Sequence, residues 1–157
     1  MQEIERKFLV TSDAFKGASK RHFRIVQGFL NTDPERTVRI RLIGEKGFLT
    51  VKGKSSNDGL SRFEWETEIT GLEAEALLQL CEEGIIEKIR YEIEFGHHTY
   101  EVDVFLGDND GLIIAEIELQ AESENFKRPS WLAKEVTGNK RYYNSQLSKH
   151  PFKHWNT

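Results

Sequence analysis

Residues 1–10 read MQEIERKFLV. Glu3, Glu5 and Lys7 are spaced by two, and Ile4, Phe8 and Val10 fall between or beyond them on the alternate positions. In a β-strand, successive side chains point to opposite faces. Two carboxylates and an ammonium then share one face of one strand. Whether this is an ordinary solvated face or a binding surface depends on the strands that follow.

Alternation with period two dominates most of the chain. After a break at TSDAFKGAS, expected to hold a turn or two of helix, come KRHFRIVQGFLN (20–31) and ERTVRIRLIG (35–44). The latter pairs with KGFLTVKGK (46–54) across a turn at Gly44–Gly47. SRFEWETEIT (61–70) is a fifth strand. GLEAEALLQLCEEG (71–84) changes to a helical stripe, with acidic residues near its start, where the helix dipole favours them. IIEKIRYEIEF (85–95) and TYEVDVFLG (99–107) flank Gly96-His97-His98 as a hairpin, and LIIAEIELQAE (112–122) follows. SWLAKEVT (130–137) and RYYNSQLSK (141–149) lose the alternation and read as helical pieces and loops. The expectation is a single domain over residues 1–157, α+β but mainly β. About eight strands joined by short turns close best into an antiparallel barrel with a few flanking helices, because closure removes exposed edges.

Seven of these strands repeat one design. Arg39 and Arg41 alternate with Val38, Ile40 and Leu42; Lys52 and Lys54 with Leu49 and Val51; and Arg62, Glu64 and Glu66 with Phe63 and Trp65. Lys88 and Arg90 oppose Ile89 and Tyr91, Glu101 and Asp103 oppose Val102 and Val104, and Glu116 and Glu118 oppose Ala115 and Ile117. For any one strand, an apolar face on a core and a charged face in water is the ordinary arrangement. The set argues otherwise, because whole strands carry pairs of one sign about 7 Å apart on one face. Paired carboxylates repel unless a cation compensates, and a hard divalent ion suits oxygen ligands. Arg and Lys aimed at one point hold phosphates. With the charged face inward, the pattern describes a metal–polyphosphate site.

The Glu-x-Glu-x-Lys opening resembles the signature of the CYTH superfamily, the triphosphate tunnel metalloenzymes. So do Arg-x-Arg in VRIRL, Lys in TVKGK, Glu-x-Glu in RFEWE, Lys-x-Arg in EKIRY, Glu-x-Asp in YEVDVF, Glu-x-Glu in AEIEL and the tail WLAKEVTGNKRYYNSQLS. The similarity runs nearly end to end, and the ordered series is far more specific than its first motif. It implies an eight-stranded antiparallel barrel whose tunnel binds a triphosphate with Mg2+ or Mn2+. Short chains with this tail resemble inorganic tripolyphosphatases; other members are class IV adenylate cyclases or thiamine triphosphatases. By the resemblance, Glu3, Glu5, Asp103, Glu116 and Glu118 are metal ligands. Lys7, Arg39, Arg41, Lys52, Arg62, Lys88 and Arg90 hold the substrate, and Glu5, Glu116, Glu118 and Lys88 carry catalysis. Glu64 and Glu66 are read as orienting neighbouring cations, and Lys54 lies on the same face without an assigned role. The resemblance also suggests a homodimer.

Other features narrow the classes. Net charge is -4, so there is no global basic field for nucleic acid. No apolar run approaches the ~18 residues of a membrane helix, and Glu3 and Glu5 stand where a secretory leader would be basic and then apolar. Cys81 is the one cysteine, which fits a reducing cytoplasm and excludes an internal disulfide. His97 and His98 read as a solvent-exposed turn, Cys81 as a small core residue, and Trp65 and Tyr91 as packing under helices. Trp131 is read as anchoring a C-terminal helix, with closure of a tunnel mouth as the other option; Lys134, Lys140 and Arg141 are candidates for that mouth. Competing with the hydrolase are a cyclase, a non-catalytic polyphosphate-binding module, and a barrel whose charged face is simply solvated.

Overall fold

The computed structural model describes residues 1–155. Its strands are β1 (Gln2–Val10), β2 (Arg21–Asn31), β3 (Arg36–Ile43), β4 (Lys46–Gly53), β5 (Ser61–Thr70), β6 (Ile86–Phe95), β7 (His98–Phe105), β8 (Ile113–Glu118) and β9 (Leu132–Glu135). The helices are α1 (Ala14–Ala18), α2 (Gly71–Leu78) and α3 (Asn144–Leu147). Hydrogen-bonded neighbours run β5-β4-β3-β2-β6-β7-β8-β1, and β1 pairs back onto β5, which closes an eight-stranded antiparallel barrel. The protein is mainly β, as expected from its alternation.

Closure is brief. β1 meets β5 only at Gln2↔Phe63, Glu3↔Arg62 and Ile4↔Ser61. Further along, β1 leaves β5, and β9 pairs with it at Phe8↔Glu135 and Val10↔Leu132. The expectation of helix at SWLAKEVT is therefore overturned. Ala, Lys and Glu favour helix locally, but the unpaired edge of β1 recruits this segment as a ninth strand.

The helix expected over GLEAEALLQLCEEG forms only over its first eight residues, Gly71–Leu78, and is started by a capping box. Thr70 Oγ1 accepts from the Glu73 amide at 3.0 Å, and Glu73 Oε1 accepts from the Thr70 amide at 2.9 Å. α2 lies close on the sheet at Gly47, where an added Cβ would come 2.6 Å from the Cβ of Ala74. Outside the barrel, Phe8, Phe15, Tyr100, Val102, Ile117 and Trp131 form one core. Tyr91 packs edge-on against Phe15 of α1. Trp131 joins this core against Phe15 of α1 and Tyr100, rather than anchoring a C-terminal helix or lining the tunnel cavity. Trp65 is a correction: it stays 42% exposed, because α2 covers the other end of β4 and β5. A second cluster of Phe29, Ile86, Phe105, Leu112, Ile114 and Leu147 is different in kind. Ile86, Phe105 and Ile114 share the inward parity of Lys88, Asp103 and Glu116, so they fill the barrel interior at one end, with Leu147 of α3 against them.

Gly28 in β2 faces outward, where an added Cβ would meet Ile85 Cδ1 at 2.6 Å and Cys81 Cβ at 2.9 Å. Cys81 is half-buried in this contact. Gly28→Val is expected to destabilise the fold by about 1–3 kcal/mol, the usual cost of overpacking, read as a lower urea midpoint with an unchanged slope.

Candidate active site

The alternating charges do point inward. Acidic and basic side chains in equal number line a cavity of about 380 Å³. The acids are Glu3, Glu5, Glu64, Glu66, Glu101, Glu116 and Glu118; the bases are Lys7, Arg39, Arg41, Lys52, Arg62, Lys88 and Arg90. Antiparallel register sets them against each other, with Glu5 opposite Glu118, Lys7 opposite Glu116, Glu101 opposite Glu116, and Glu3 opposite Arg62. The solvated-face alternative is excluded by this orientation.

The pairing is uneven. Lys52 Nζ lies 3.0 Å from Glu3 Oε1, and Lys7 Nζ sits between Glu116 at 3.1 Å and Glu5 at 3.2 Å. Burial opposes the Lys7 charge, but Glu116 and Glu5 lift its pKa above the usual lysine range. Burial and the adjacent Glu116 charge push the Glu5 carboxyl up. Burial also raises Glu3, against the pull of Lys52, and raises Glu118, reinforced by Glu3 and Glu5. On the opposite wall, burial lowers Arg39, despite Glu66, and lowers Arg41 further, where Arg39 and Arg90 add repulsion. The Nε of Arg39 is buried without a hydrogen-bond partner. Burial opposes the Glu116 charge too, but Lys7 and Arg90 hold its carboxyl well below the usual range. Compensation is thus complete at Glu116 and incomplete at Glu3, Glu5, Glu118, Arg39 and Arg41.

Asp103 was expected among the metal ligands. Its two oxygens accept from Arg90 Nε at 2.8 Å and Arg90 Nη2 at 2.9 Å, and Lys88 Nζ adds a 2.8 Å contact. It is 1% exposed. Burial works against its charge, but Arg90 and Lys88 hold its carboxyl well below the usual range. Asp103 thus fixes two cations. Lys88, resting 5.4 Å from the Phe105 ring, is pushed down to about 7 by burial, against the pull of Asp103 and with added repulsion from Arg90 and Arg41. Glu66 orients Arg39, as expected, at 3.5 Å, helped by Thr50, which donates to Glu66 at 2.6 Å.

Sequence reasoning missed several groups. Gln27 is fully buried, accepts from Arg41 at 2.8 Å, and donates to Asn144 Oδ1 at 2.8 Å. Lys88 also donates to Asn144, at 2.9 Å. Tyr143 lies beside Lys7 and Arg62, its ring centre 5.8 Å and 5.7 Å away. Gln27 and Thr50 had the inward parity of their strands as a signal; Tyr143 and Asn144 had no periodicity, only their place in the tail that resembles the family. Lys54 lies outside this cavity, on a smaller one beside it together with Lys140. Lys134 is exposed and Arg141 stacks on Trp155, so neither reaches the lumen. His98 corrects another expectation, being partly buried and paired with Glu124.

Among the described residues, no three His, Cys, Asp or Glu side chains form a ready cation cage. The donor set nonetheless fits a hard divalent ion. Glu3, Glu5, Glu116 and Glu118 offer only carboxylate oxygens, from two adjacent strands, and three of them have raised pKa values.

Residues 1–151 match the profile of the CYTH domain family. The chain belongs to this family. Two relatives of the CYTH chain are described as inorganic triphosphatases. One, from Acetivibrio thermocellus, is 49% identical over 98% of this chain and 97% of its own. The other, from Nitrosomonas europaea, is 36% identical over 94% of this chain and 97% of its own. A solved structure, also described as an inorganic triphosphatase, superimposes with a TM-score of 0.66, at 32% identity over 93% of each chain.

Removing the Asp103 charge isolates the network beneath the lumen. Asp103→Asn is expected to be less stable at pH 7 by about 3–5 kcal/mol, since two buried cations lose their partner. A depressed carboxyl contributes stability above its unfolded pKa and loses it as pH falls through the folded value. The gap between variant and wild type should accordingly narrow below about pH 4, as followed by urea unfolding between pH 2 and 8.

Proposed function

We propose that this protein hydrolyses inorganic tripolyphosphate within its barrel with the help of Mg2+ or Mn2+. The supporting observation is that charge is incompletely compensated within the lumen: burial raises Glu3 and Glu5 of β1 and Glu118 of β8, and lowers Arg39 and Arg41 of β3. A cation–polyanion complex relieves both at once. The names of the relatives agree with this reading. The lining is mainly charged, with Phe29 and Tyr143 as its aromatic members, which favours an all-phosphate substrate over one carrying a base. That weighs against the cyclase and thiamine triphosphate alternatives.

In this reading Glu3, Glu5, Glu116 and Glu118 hold the cation. When bound, a divalent ion polarises phosphoryl oxygens and acidifies a coordinated water. Arg39, Arg41, Lys52, Arg62, Arg90 and Lys7 neutralise the non-bridging oxygens and hold the chain in line, where preorganised charge is most effective. Asp103 and Gln27 keep Arg90 and Arg41 aimed. Lys88 Nζ, with its pKa near 7, accepts a proton from the attacking water and passes it on after cleavage. The lone Cys81 suits a reducing cytoplasm.

The first test is phosphate release from tripolyphosphate, ATP and thiamine triphosphate, each with Mg2+, Mn2+ or EDTA, with cyclic AMP measured in the ATP reactions. Fastest release from tripolyphosphate, abolished by EDTA, is expected; cyclic AMP formation without phosphate release would assign the chain to the cyclases. Glu5→Gln should lower kcat at least about 100-fold, the scale of losing one preorganised electrostatic group, with unchanged circular dichroism. Arg39→Ala should lower kcat/KM about 10- to 100-fold, as charged hydrogen bonds of about 1.5–3 kcal/mol imply, with KM rising. As pH drops through 7, wild-type kcat/KM should fall as Lys88 becomes protonated; a Lys88→Gln variant should keep only a small residual rate without that limb.

A further inference from the structure

Beside the tunnel lies a second cavity of about 160 Å³. Lys54, Arg62 and Lys140 line it, and no aspartate or glutamate does. The tunnel carries both signs in balance, whereas this annex carries one. Arg62 meets a carboxylate on its tunnel side, Glu3 at 3.7 Å. Among the described residues, Lys54 and Lys140 have no ion-pair partner. The nearby Asp58 carboxylate is turned into its own loop, accepting from Ser56 Oγ at 2.6 Å and the Leu60 amide at 3.0 Å. Hydroxyls of Ser55 and Tyr143 add hydrogen-bonding groups to the wall, whereas the Ser56 hydroxyl is already engaged with Asp58. Like charges gathered with donors and without acids favour an anion.

The annex is a built feature. Its two covering loops dock glycine on glycine: Gly59 and Gly138 have φ of +77° and +78°, and a Cβ on Gly59 would lie 2.2 Å from Gly138 Cα. Tyr143, Thr37, Arg62 and Ser145 line both cavities and so form the wall between them. The Tyr143 hydroxyl is 3.5 Å from Ser55 Oγ.

We propose that the annex is a second anion site taking a single phosphate group, with Tyr143 on the wall it shares with the tunnel. The site stands on its own geometry; only the source of its phosphate rests on the tripolyphosphatase reading. That source is either released orthophosphate or the fourth phosphoryl group of a longer polyphosphate chain.

The test compares wild type with Lys54→Met/Lys140→Met, which keeps side-chain bulk and removes the two unpaired charges. Orthophosphate is titrated calorimetrically into each full-length protein, with circular dichroism as the check on folding. At least tenfold weaker binding by the variant is expected, while KM for tripolyphosphate stays within twofold. Equal orthophosphate affinity in the two proteins, or no binding by wild type, overturns the proposal. Turnover of tetrapolyphosphate and tripolyphosphate then separates the sources. A drop of fivefold or more in the tetra-to-tri ratio of kcat/KM points to the fourth phosphoryl group. An unchanged ratio with weaker orthophosphate inhibition points to the released product. Absence of any turnover would refute the tripolyphosphatase reading and leave the orthophosphate titration as the test of the annex.

Discussion

An ionised side chain removed from water needs an opposite charge, and that requirement organises this barrel. Deep in the lumen it is met internally. Asp103 accepts from Nε and Nη2 of Arg90 and pairs with the ammonium of Lys88, Glu101 accepts from Nη1 of Arg90, Asn144 accepts from Lys88, and Gln27 accepts from Arg41. Nearer the opening it is met only in part. Lys7 is shared between two carboxylates, Glu118 is left to its acidic neighbours, and one nitrogen of Arg39 has no partner. The gradient from satisfied to unsatisfied charge marks where a ligand of mixed sign belongs.

The same gradient explains the apolar interior at one end. Phe29, Ile86, Phe105 and Ile114 occupy inward positions where the strand design would otherwise place charge. They exclude water beneath Lys88, and that desolvation brings its ammonium close to neutrality. A group that titrates near pH 7 is thus produced by packing from a residue whose ordinary pKa is far higher. Stability and function pull apart here: the unsatisfied carboxylates weaken the empty barrel and serve the complex it is built to hold.

Much of this was legible from residue parity. EIERK, VRIRL and AEIEL each place charges at every second position, and a half-buried strand leaves those charges on one face. Trp65 shows the limit of the same rule. Its parity correctly puts it opposite the charges, but parity says nothing about how much of that face a helix covers, and α2 covers only the end away from Trp65. Asp103 shows another limit. Its face is right, yet its use is decided by the cross-strand partner Arg90, directly opposite it on β6.

The sequence by itself determined the strands, their two faces and the assignment of charge to one of them, because the two-residue period is a local property of extended backbone. Only the tertiary structure decided which way that face turns, since direction depends on β1 closing onto β5 at three residue pairs far apart in the chain. It also decided that Leu132–Glu135 is a strand and that Tyr143 and Asn144 reach the lumen. These outcomes follow from the edge left open when β1 departs from β5, a vacancy created by the whole barrel and written in no single segment.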